Sequence, residues 1–350
     1  MPQGSILGPA LYTLYTCDFP EVVHEVDCPH RAENRPEGDV TTVLYRTVCT
    51  ECGGLVCYAD DSTYSVSAAT PAELSTKLTS KFQVMAKYLT DNRLCINQEK
   101  THMLVLCSEQ KRRHTDTQSV TLTTPAEVIT SSPVESLLGF TVHQDLGFGE
   151  FLVHGKDSLV SKLGKRVGAL KAVSRVASFK TRLSVCSSLV ISRLLYMLPL
   201  YAGCPEYMLT ALQVKQNEAM RIVTKRRWVV PGLQYTSTRE LLKQCNYMSV
   251  RQMAYFYSVA EVHKTLVHQE PEYLCQVVTA ALASGVHHSY PTSEAGSRRV
   301  APARLQLASS SFRWRASNLY ARLPQTMRSE QSLKIFLKQL KKHTKAHILD

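Results

Sequence analysis

The sequence predicts an α+β protein, with an antiparallel sheet and helices followed by a mostly helical region. Short apolar runs with strand-like alternation occur only before about residue 150, and helical periodicity dominates from Lys156 onwards. The charge changes at the same place. Residues 1–150 hold 11 Lys and Arg against 19 Asp and Glu, whereas residues 151–350 hold 30 against 10. We therefore expect two parts of different architecture and opposite charge.

The composition is that of an ordinary globular protein. The chain has 350 residues, of which 44% are hydrophobic, and its 11 cysteines are scattered as in proteins of reducing compartments. No leader pattern follows Met1, and Arg193 interrupts the most apolar stretch, residues 183–203. We expect a soluble intracellular protein, nuclear or cytoplasmic, without a membrane partner.

The predicted elements of the first part begin with a helix that has Pro9 at its first position. Residues 27–54 form an irregular insertion that contains cysteines. The apolar run 55–59 and the alternation 64–68 then predict a hairpin with Asp60 and Asp61 at its tip.

After this hairpin, Thr70-Pro71-Ala72-Glu73 predicts a helix start, and apolar residues at helical spacing continue to Leu89. Residues 103–107 predict a strand, residues 111–114 open a loop, and residues 136–142 belong to a further hairpin.

The second part is predicted to be helical at residues 151–283. A stripe runs from Leu159 to Val173, and long helices are expected at 180–198, 206–228 and 238–266. Residues 284–303 predict a linker, and residues 304–350 a basic amphipathic tail.

The paired carboxylates are the first candidate site. Two-metal nucleotidyl transfer requires hard divalent cations, and carboxylates are their preferred ligands. Taken alone, however, an Asp-Asp pair such as Asp60-Asp61 is more often a feature of an ordinary turn than a metal site.

Several motifs in order resemble those of reverse transcriptases. Tyr58-Ala59-Asp60-Asp61 resembles the metal-binding motif of the family, and residues 2–9 (Pro-Gln-Gly-Ser-Ile-Leu-Gly-Pro) resemble the template-side motif of non-LTR retrotransposon (LINE-type) and group II intron enzymes. Leu94, Asn97, Lys100 and Thr101 match its next palm motif. Leu138-Gly139-Phe140 resembles the hairpin that holds the primer end, and residues 312–342 look like the tail of such elements.

The resemblance implies an RNA-directed DNA polymerase, a nucleotidyltransferase, with part of a palm at residues 1–150, a thumb and connection region at 151–283, Mg²⁺ as cofactor, and RNA template, DNA primer and dNTPs as partners. Asp60 and Asp61 would be the metal ligands, and Lys100 would lie near the triphosphate, unless it is an ordinary surface lysine. The residues implied to contact template or nucleotide are Gln3, Gly4, Ser5 and Tyr58.

The resemblance also implies a further metal-binding Asp and a fingers region ahead of the Pro2-Gln3-Gly4 motif. We therefore expect a C-terminal fragment that does not polymerise by itself. Competing hypotheses are a non-catalytic nucleic-acid-binding remnant of such an element, and an RNA-dependent RNA polymerase, which the Pro-Gln-Gly and Tyr-Ala-Asp-Asp motifs disfavour.

A second candidate site lies in the insertion. Cys28, His30, Cys49 and Cys52 have types and spacing that suit a tetrahedral zinc site, with reduced structural cysteines as the alternative.

The basic second part predicts a surface for the phosphate backbone of nucleic acid. Its candidate contacts are Lys162, Lys165, Arg166, Lys171, Arg175, Lys180 and Arg182.

Overall fold

The computed structural model describes residues 7–23, 53–226, 237–283 and 310–347. These divide into two compact units, one formed up to Ser136 together with His143–Leu146, and the other by Leu137–Val142 and the residues from Gly147 onwards. The fold class is α+β, as predicted. Among the described residues, no helix has both the length and the apolar character needed to cross a membrane.

The first unit combines small antiparallel sheets with one long helix. Its helices are α1 (Gly8–Tyr15), α2 (Pro71–Asp91) and the short α3 (Glu109–Arg112). The described strands are β1 (Gly54–Tyr58), β2 (Asp61–Ser65), β3 (Thr121–Thr123), β4 (Val128–Thr130), β5 (Val134–Leu137) and β6 (Phe140–His143), and most of β6 belongs to the residues of the second unit. They form three two-stranded sheets, β1-β2, β3-β4 and β5-β6.

Helix α2 begins where the sequence predicted. The Thr70 hydroxyl accepts from the Glu73 amide at 3.3 Å, the Glu73 carboxylate accepts from the Ala69 amide at 3.1 Å, and Pro71 occupies the first turn. Phe82 and Met85 of this helix pack against Leu55 of β1 in the core of the unit. The predicted hairpin β5-β6 is also confirmed, with Leu138 and Gly139 at its turn.

Two local predictions in the first unit are wrong. Residues 103–107 form no strand; Met103 makes only an isolated bridge to Ser131, and the Val105 amide donates to the Ser131 hydroxyl at 3.0 Å instead of to a neighbouring strand. The predicted loop does not begin at residue 111. Lys111 and Arg112 still belong to α3, because the Ser108 hydroxyl caps that helix through the Lys111 amide, and Arg113 and His114 form the turn that follows it.

The second unit is helical, and π-helical turns at Glu150–His154 and Ser187–Ile191 interrupt its regular helices. Its helices are α4 (Leu159–Val173), α5 (Phe179–Cys186), α6 (Ser192–Leu195), α7 (Leu198–Tyr201), α8 (Glu206–Thr224), α9 (Thr238–Cys245), α10 (Val250–His268), α11 (Glu272–Ala283), α12 (Phe312–Ala321), α13 (Gln325–Arg328) and α14 (Leu333–His347).

The long helices predicted in this unit are shorter than expected. The pattern at 180–198 is divided because Met197 has a positive φ and Pro199 requires a new helix start at α7. The helix predicted to reach 228 ends at Thr224, where Lys225 takes the left-handed conformation. The helix predicted at 238–266 is divided in two: Asn246 takes the left-handed conformation and ends α9, and Ser249 then caps α10.

Two apolar clusters stabilise the second unit. The larger contains Leu163 and Leu170 of α4 with Leu212 of α8 and Leu241 of α9. Val173, predicted on the same stripe, is exposed because it lies in the last turn of α4. The smaller cluster joins α10, α12 and α14.

Candidate functional site

The hairpin β1-β2 places the two carboxylates at an exposed tip. Gly54 pairs with Ser65 at one end and Tyr58 with Asp61 at the other, which leaves Ala59 and Asp60 as a two-residue turn. Ala59 takes a positive φ of 54°, an uncommon conformation for a residue with a side chain. Asp60 and Asp61 are both exposed and adjacent, so their oxygens are accessible to a cation.

The two faces of β1 differ in what they contact. Leu55 is buried and Cys57 partly buried against the core of the unit, whereas Val56 and Tyr58 are exposed. This alternation follows from the period of two in a strand. Tyr58 is therefore exposed on the face of the hairpin opposite the core, and its contact with template or nucleotide stays a prediction.

Gly53 fixes the base of the hairpin. Its φ is +81°, and a Cβ atom at this position would lie 2.4 Å from the Ser65 carbonyl oxygen. Only glycine satisfies both conditions without displacement of the backbone. The pairing register that brings Asp60 to the tip depends on this close approach.

Tyr12 of α1 interacts electrostatically with the hairpin. Burial raises the pKa of the Tyr12 phenol, and the nearby Asp60 carboxylate and Cys57 thiol raise it further. The phenol therefore remains neutral, and its hydroxyl can donate a hydrogen bond. Sequence reasoning missed Tyr12, which is visible in the sequence only as an aromatic residue in the helix that follows Pro2-Gln3-Gly4.

Contacts with the end of α2 hold α1 and the turn that follows it. The Tyr15 hydroxyl donates to the Asn92 carbonyl oxygen at 2.7 Å, and the Tyr88 hydroxyl donates to the Asp18 carboxylate. The ring of Phe19 stacks on that of Tyr88, with centroids 4.8 Å apart. Hydrogen bonds and an aromatic stack between elements far apart in the chain thus fix the position of Tyr12.

The remaining predicted catalytic residue is Lys100. It lies at the end of a 3-10 turn, Gln98–Lys100, with its side chain exposed. No ion pair joins it to Asp60 or Asp61, all three of which are described by the structure. The predicted contacts Gln3, Gly4 and Ser5 lie outside the described residues.

Of the two predicted metal sites, only the Asp60-Asp61 pair lies in the described part of the chain. Asp60 and Asp61 supply two hard oxygen donors, the chemistry that suits Mg²⁺. Within the described residues, no group of three or more His, Cys, Asp or Glu side chains is placed to hold a metal ion. The four residues predicted for zinc, Cys28, His30, Cys49 and Cys52, lie outside the described part of the chain.

The basic residues of α4 are placed around its buried stripe. Lys165 and Lys171 are exposed, and Lys162 is half-buried. The half-buried Arg166 donates through Nη1 to the Leu189 carbonyl oxygen at 3.1 Å, so part of its hydrogen-bonding capacity is used within the protein. Arg175 and Lys180, beyond the end of α4, are exposed as well.

Arg182 is not a phosphate contact, which corrects the sequence prediction. Its side chain is buried, and it donates through Nε to the Val223 carbonyl oxygen at 2.8 Å and through Nη1 to that of Ala177 at 2.6 Å. These carbonyls lie at or near helix ends and lack partners of their own within a helix. Arg182 therefore stabilises the packing of α5 against α8.

A second buried arginine serves a similar purpose. Arg315 of α12 donates through Nη2 to the Pro199 carbonyl oxygen at 2.9 Å and to the Ser258 hydroxyl at 2.8 Å. Burial lowers its pKa to about 10, while the neighbouring Cys204 opposes the shift. The guanidinium remains charged at neutral pH and joins α12 to α7 and α10.

In comparisons with known proteins, no family model, no curated protein and no solved structure matches this chain. Its family is therefore argued from its own residues.

Proposed function

We propose that the chain is the later part of an RNA-directed DNA polymerase of a non-LTR retrotransposon, with Asp60 and Asp61 as ligands of the catalytic metal ions. One observation carries the proposal. The Asp-Asp pair lies at the exposed tip of an antiparallel hairpin, with Asp60 in its turn and Asp61 at the start of β2. Tyr12, in the helix that follows the Pro-Gln-Gly motif in the sequence, is close enough to this tip for the Asp60 carboxylate to raise the pKa of its phenol.

The proposed chemistry uses few protein groups. Bound Mg²⁺ ions would activate the primer 3′-hydroxyl and stabilise charge on the triphosphate of the incoming dNTP. Asp60 and Asp61 would hold them, with the neutral Tyr12 phenol in the electrostatic vicinity of Asp60. Lys100, exposed near the end of the palm motif, would stabilise negative charge that develops on the phosphates.

The second unit would bind the RNA template and the DNA primer. Lys165 lies on α4 opposite the buried stripe, and Lys162 and Lys171 flank that stripe on either side, where phosphates would meet them without readout of the base sequence. The excess of basic residues in 151–350 supports this role.

Catalysis is tested by primer extension with an RNA template, a DNA primer, dNTPs and Mg²⁺. The family's further metal-binding Asp belongs to a strand ahead of the Pro-Gln-Gly motif, so two proteins are compared. One is residues 1–350; the other is the same chain with the fingers and Asp-bearing strand of a related polymerase fused ahead of Met1. Of these two proteins, we expect only the fused one to extend the primer.

The role of Asp60 is tested in the fused protein. Asp60→Asn should abolish extension and leave duplex binding unchanged, because it removes a metal ligand and no structural contact. Asp91→Asn is the matched control, an exposed carboxylate at the end of α2 whose loss should not affect extension. If the Asp60→Asn variant still extends the primer, Asp60 is not a ligand of the catalytic metal ions. If both variants lose extension, the loss is not specific to Asp60.

A second candidate function is that of a non-catalytic nucleic-acid-binding protein descended from such an element. The charge of residues 151–350 favours it, since 30 basic against 10 acidic residues suffice for salt-dependent binding. It predicts duplex binding without extension, even in the fused protein.

A further inference from the structure

The last described helix, α14, is unusual in its charge. It contains five lysines and no acidic residue. Lys334, Lys338, Lys341 and Lys345 are spaced by four, three and four positions, which places them on one face of a helix. We call these four residues the lysine stripe. All four side chains are exposed, and Lys342 lies beside them.

The opposite face of α14 is already buried. Phe336 and Leu340 are both fully inaccessible to solvent and belong to the cluster shared with α10 and α12. The Phe336 ring stacks on His263 of α10. The helix is therefore fixed in its rotation about its own axis, with the lysine stripe directed away from the core.

The charge of the stripe is not neutralised within the described part of the chain. No ion pair is formed there by Lys334, Lys338 or Lys341, and the Lys345 ammonium group donates to the neutral Asn246 side chain at 3.2 Å. Glu330, which precedes the helix, accepts from the Ser332 amide at 2.9 Å. Four like charges along one helix repel each other, so a polyanionic partner would relieve an unfavourable interaction.

The kind of partner follows from the shape and composition of this face. A membrane-surface helix must insert an apolar face into the lipid. The apolar face of α14, with Phe336 and Leu340, is already buried within the protein. Single-stranded nucleic acid is commonly bound by stacking on aromatic side chains, and the stripe has none. A duplex keeps its bases stacked inside and presents its phosphates in a dense and regular array along its surface.

We propose that the lysine stripe of α14 binds the phosphate backbone of a double-stranded nucleic acid. The stripe extends over about 16 Å at the rise of an α-helix, a length along which a duplex presents roughly ten phosphate charges. The inference rests on the nucleic-acid partner of the proposed function and not on its catalysis. It adds a contact surface separate from the candidate residues of α4.

The test measures binding of the full chain to a short fluorescent DNA duplex by anisotropy over a series of salt concentrations. The variant Lys334→Gln/Lys338→Gln/Lys341→Gln removes three charges from the stripe. We expect the slope of log K against log[salt] to decrease by about 2 to 3, and the affinity at low salt to fall at least about tenfold. Lys334→Arg/Lys338→Arg/Lys341→Arg should bind as the unaltered protein does, because it keeps the charge.

The matched control is Lys156→Gln/Lys215→Gln/Lys264→Gln, which removes the same charge from other parts of the second unit. Its slope should change less than half as much. Equal losses in the two Gln variants overturn the proposal, because the effect then reflects net charge alone. An unchanged slope in the stripe variant also overturns it.

Two further ligands distinguish the source of the anionic charge. If the stripe variant loses binding to a single strand or to vesicles containing phosphatidylserine while its duplex binding is intact, the assignment to duplex is wrong. If the unaltered chain binds no duplex, both this inference and the nucleic-acid partner fail. Duplex binding that depends on the stripe, together with no primer extension by the fused protein, supports the inference and removes only the polymerase proposal.

Discussion

The imidazole ring of His263 stacks on the phenyl ring of Phe336, with the ring centroids 3.5 Å apart and the planes inclined by 10°. His263 Nδ1 lies 3.1 Å from the Tyr320 hydroxyl, so one contact group joins α10, α12 and α14. Both stacked side chains are fully buried. This group fixes the helix that carries the lysine stripe.

Loss of the Phe336 ring should destabilise the protein more than loss of a neighbouring exposed side chain. Phe336→Ala leaves a cavity between α10 and α14 and should cost about 3–5 kcal/mol of unfolding free energy, measured by chemical denaturation. Ile335→Ala, at the exposed adjacent position, is the control and should cost far less. Equal losses would contradict the central place of Phe336 in the cluster.

The stability of the second unit should decrease in mildly acidic solution. Burial lowers the pKa of His263 below its usual value of 6.5, partly opposed by Glu330, so the unfolded chain binds a proton more readily than the folded one. Stability is then fully present above about pH 6.5 and is lost as the pH falls from there towards the folded-state pKa.

This pH dependence is measured by thermal unfolding at several pH values between neutral and mildly acidic. In His263→Gln, which keeps a polar group of similar length but does not titrate, the decrease between pH 7.5 and the acidic end should be smaller than in the unaltered protein. The same decrease in both proteins would assign it to other groups.

Gly53→Ala should disturb the hairpin that carries Asp60. The new Cβ atom would collide with the Ser65 carbonyl oxygen, and the positive φ adds a backbone cost, so we expect a loss of about 1–3 kcal/mol. Gly147→Ala is the control, since nothing lies within 4 Å of its Cβ position and its φ is not in the left-handed region. Chemical denaturation of both variants checks the difference, and equal stability would show that the hairpin base tolerates a side chain.

Substitutions of Arg182 and Lys165 should affect different properties, the first the stability of the protein and the second its binding to a duplex. Arg182→Met leaves the Val223 and Ala177 carbonyls without their donor and should cost about 1–3 kcal/mol, with no change in the salt slope of duplex binding. The exposed Lys165→Met should leave stability unchanged and reduce that slope by about 1. The opposite pattern would restore Arg182 as a phosphate contact.

The hairpin and helix α2 were predictable because local rules determine them. The alternation of apolar and polar residues in the hairpin, the Thr70 cap and Pro71 act within a few residues. Each can be recognised in the sequence without knowledge of the rest of the chain. The strand expected at 103–107 failed for the opposite reason. Its apolar run includes the buried Met103 and Val105, and strand pairing requires a neighbouring backbone that the fold does not place there.

The sequence by itself determined the hairpin with Asp60 and Asp61 near its tip, the change from sheet to helix and the change in charge, because these depend on residue type and local spacing. Only the tertiary structure decided that Arg182 is buried, that Asp60 is close enough to Tyr12 to raise the pKa of its phenol, and that the lysine stripe is held outward. Each of these depends on contacts between residues far apart in the chain. An arginine has the same composition and periodicity whether it meets a phosphate or a helix-end carbonyl, and only packing distinguishes the two.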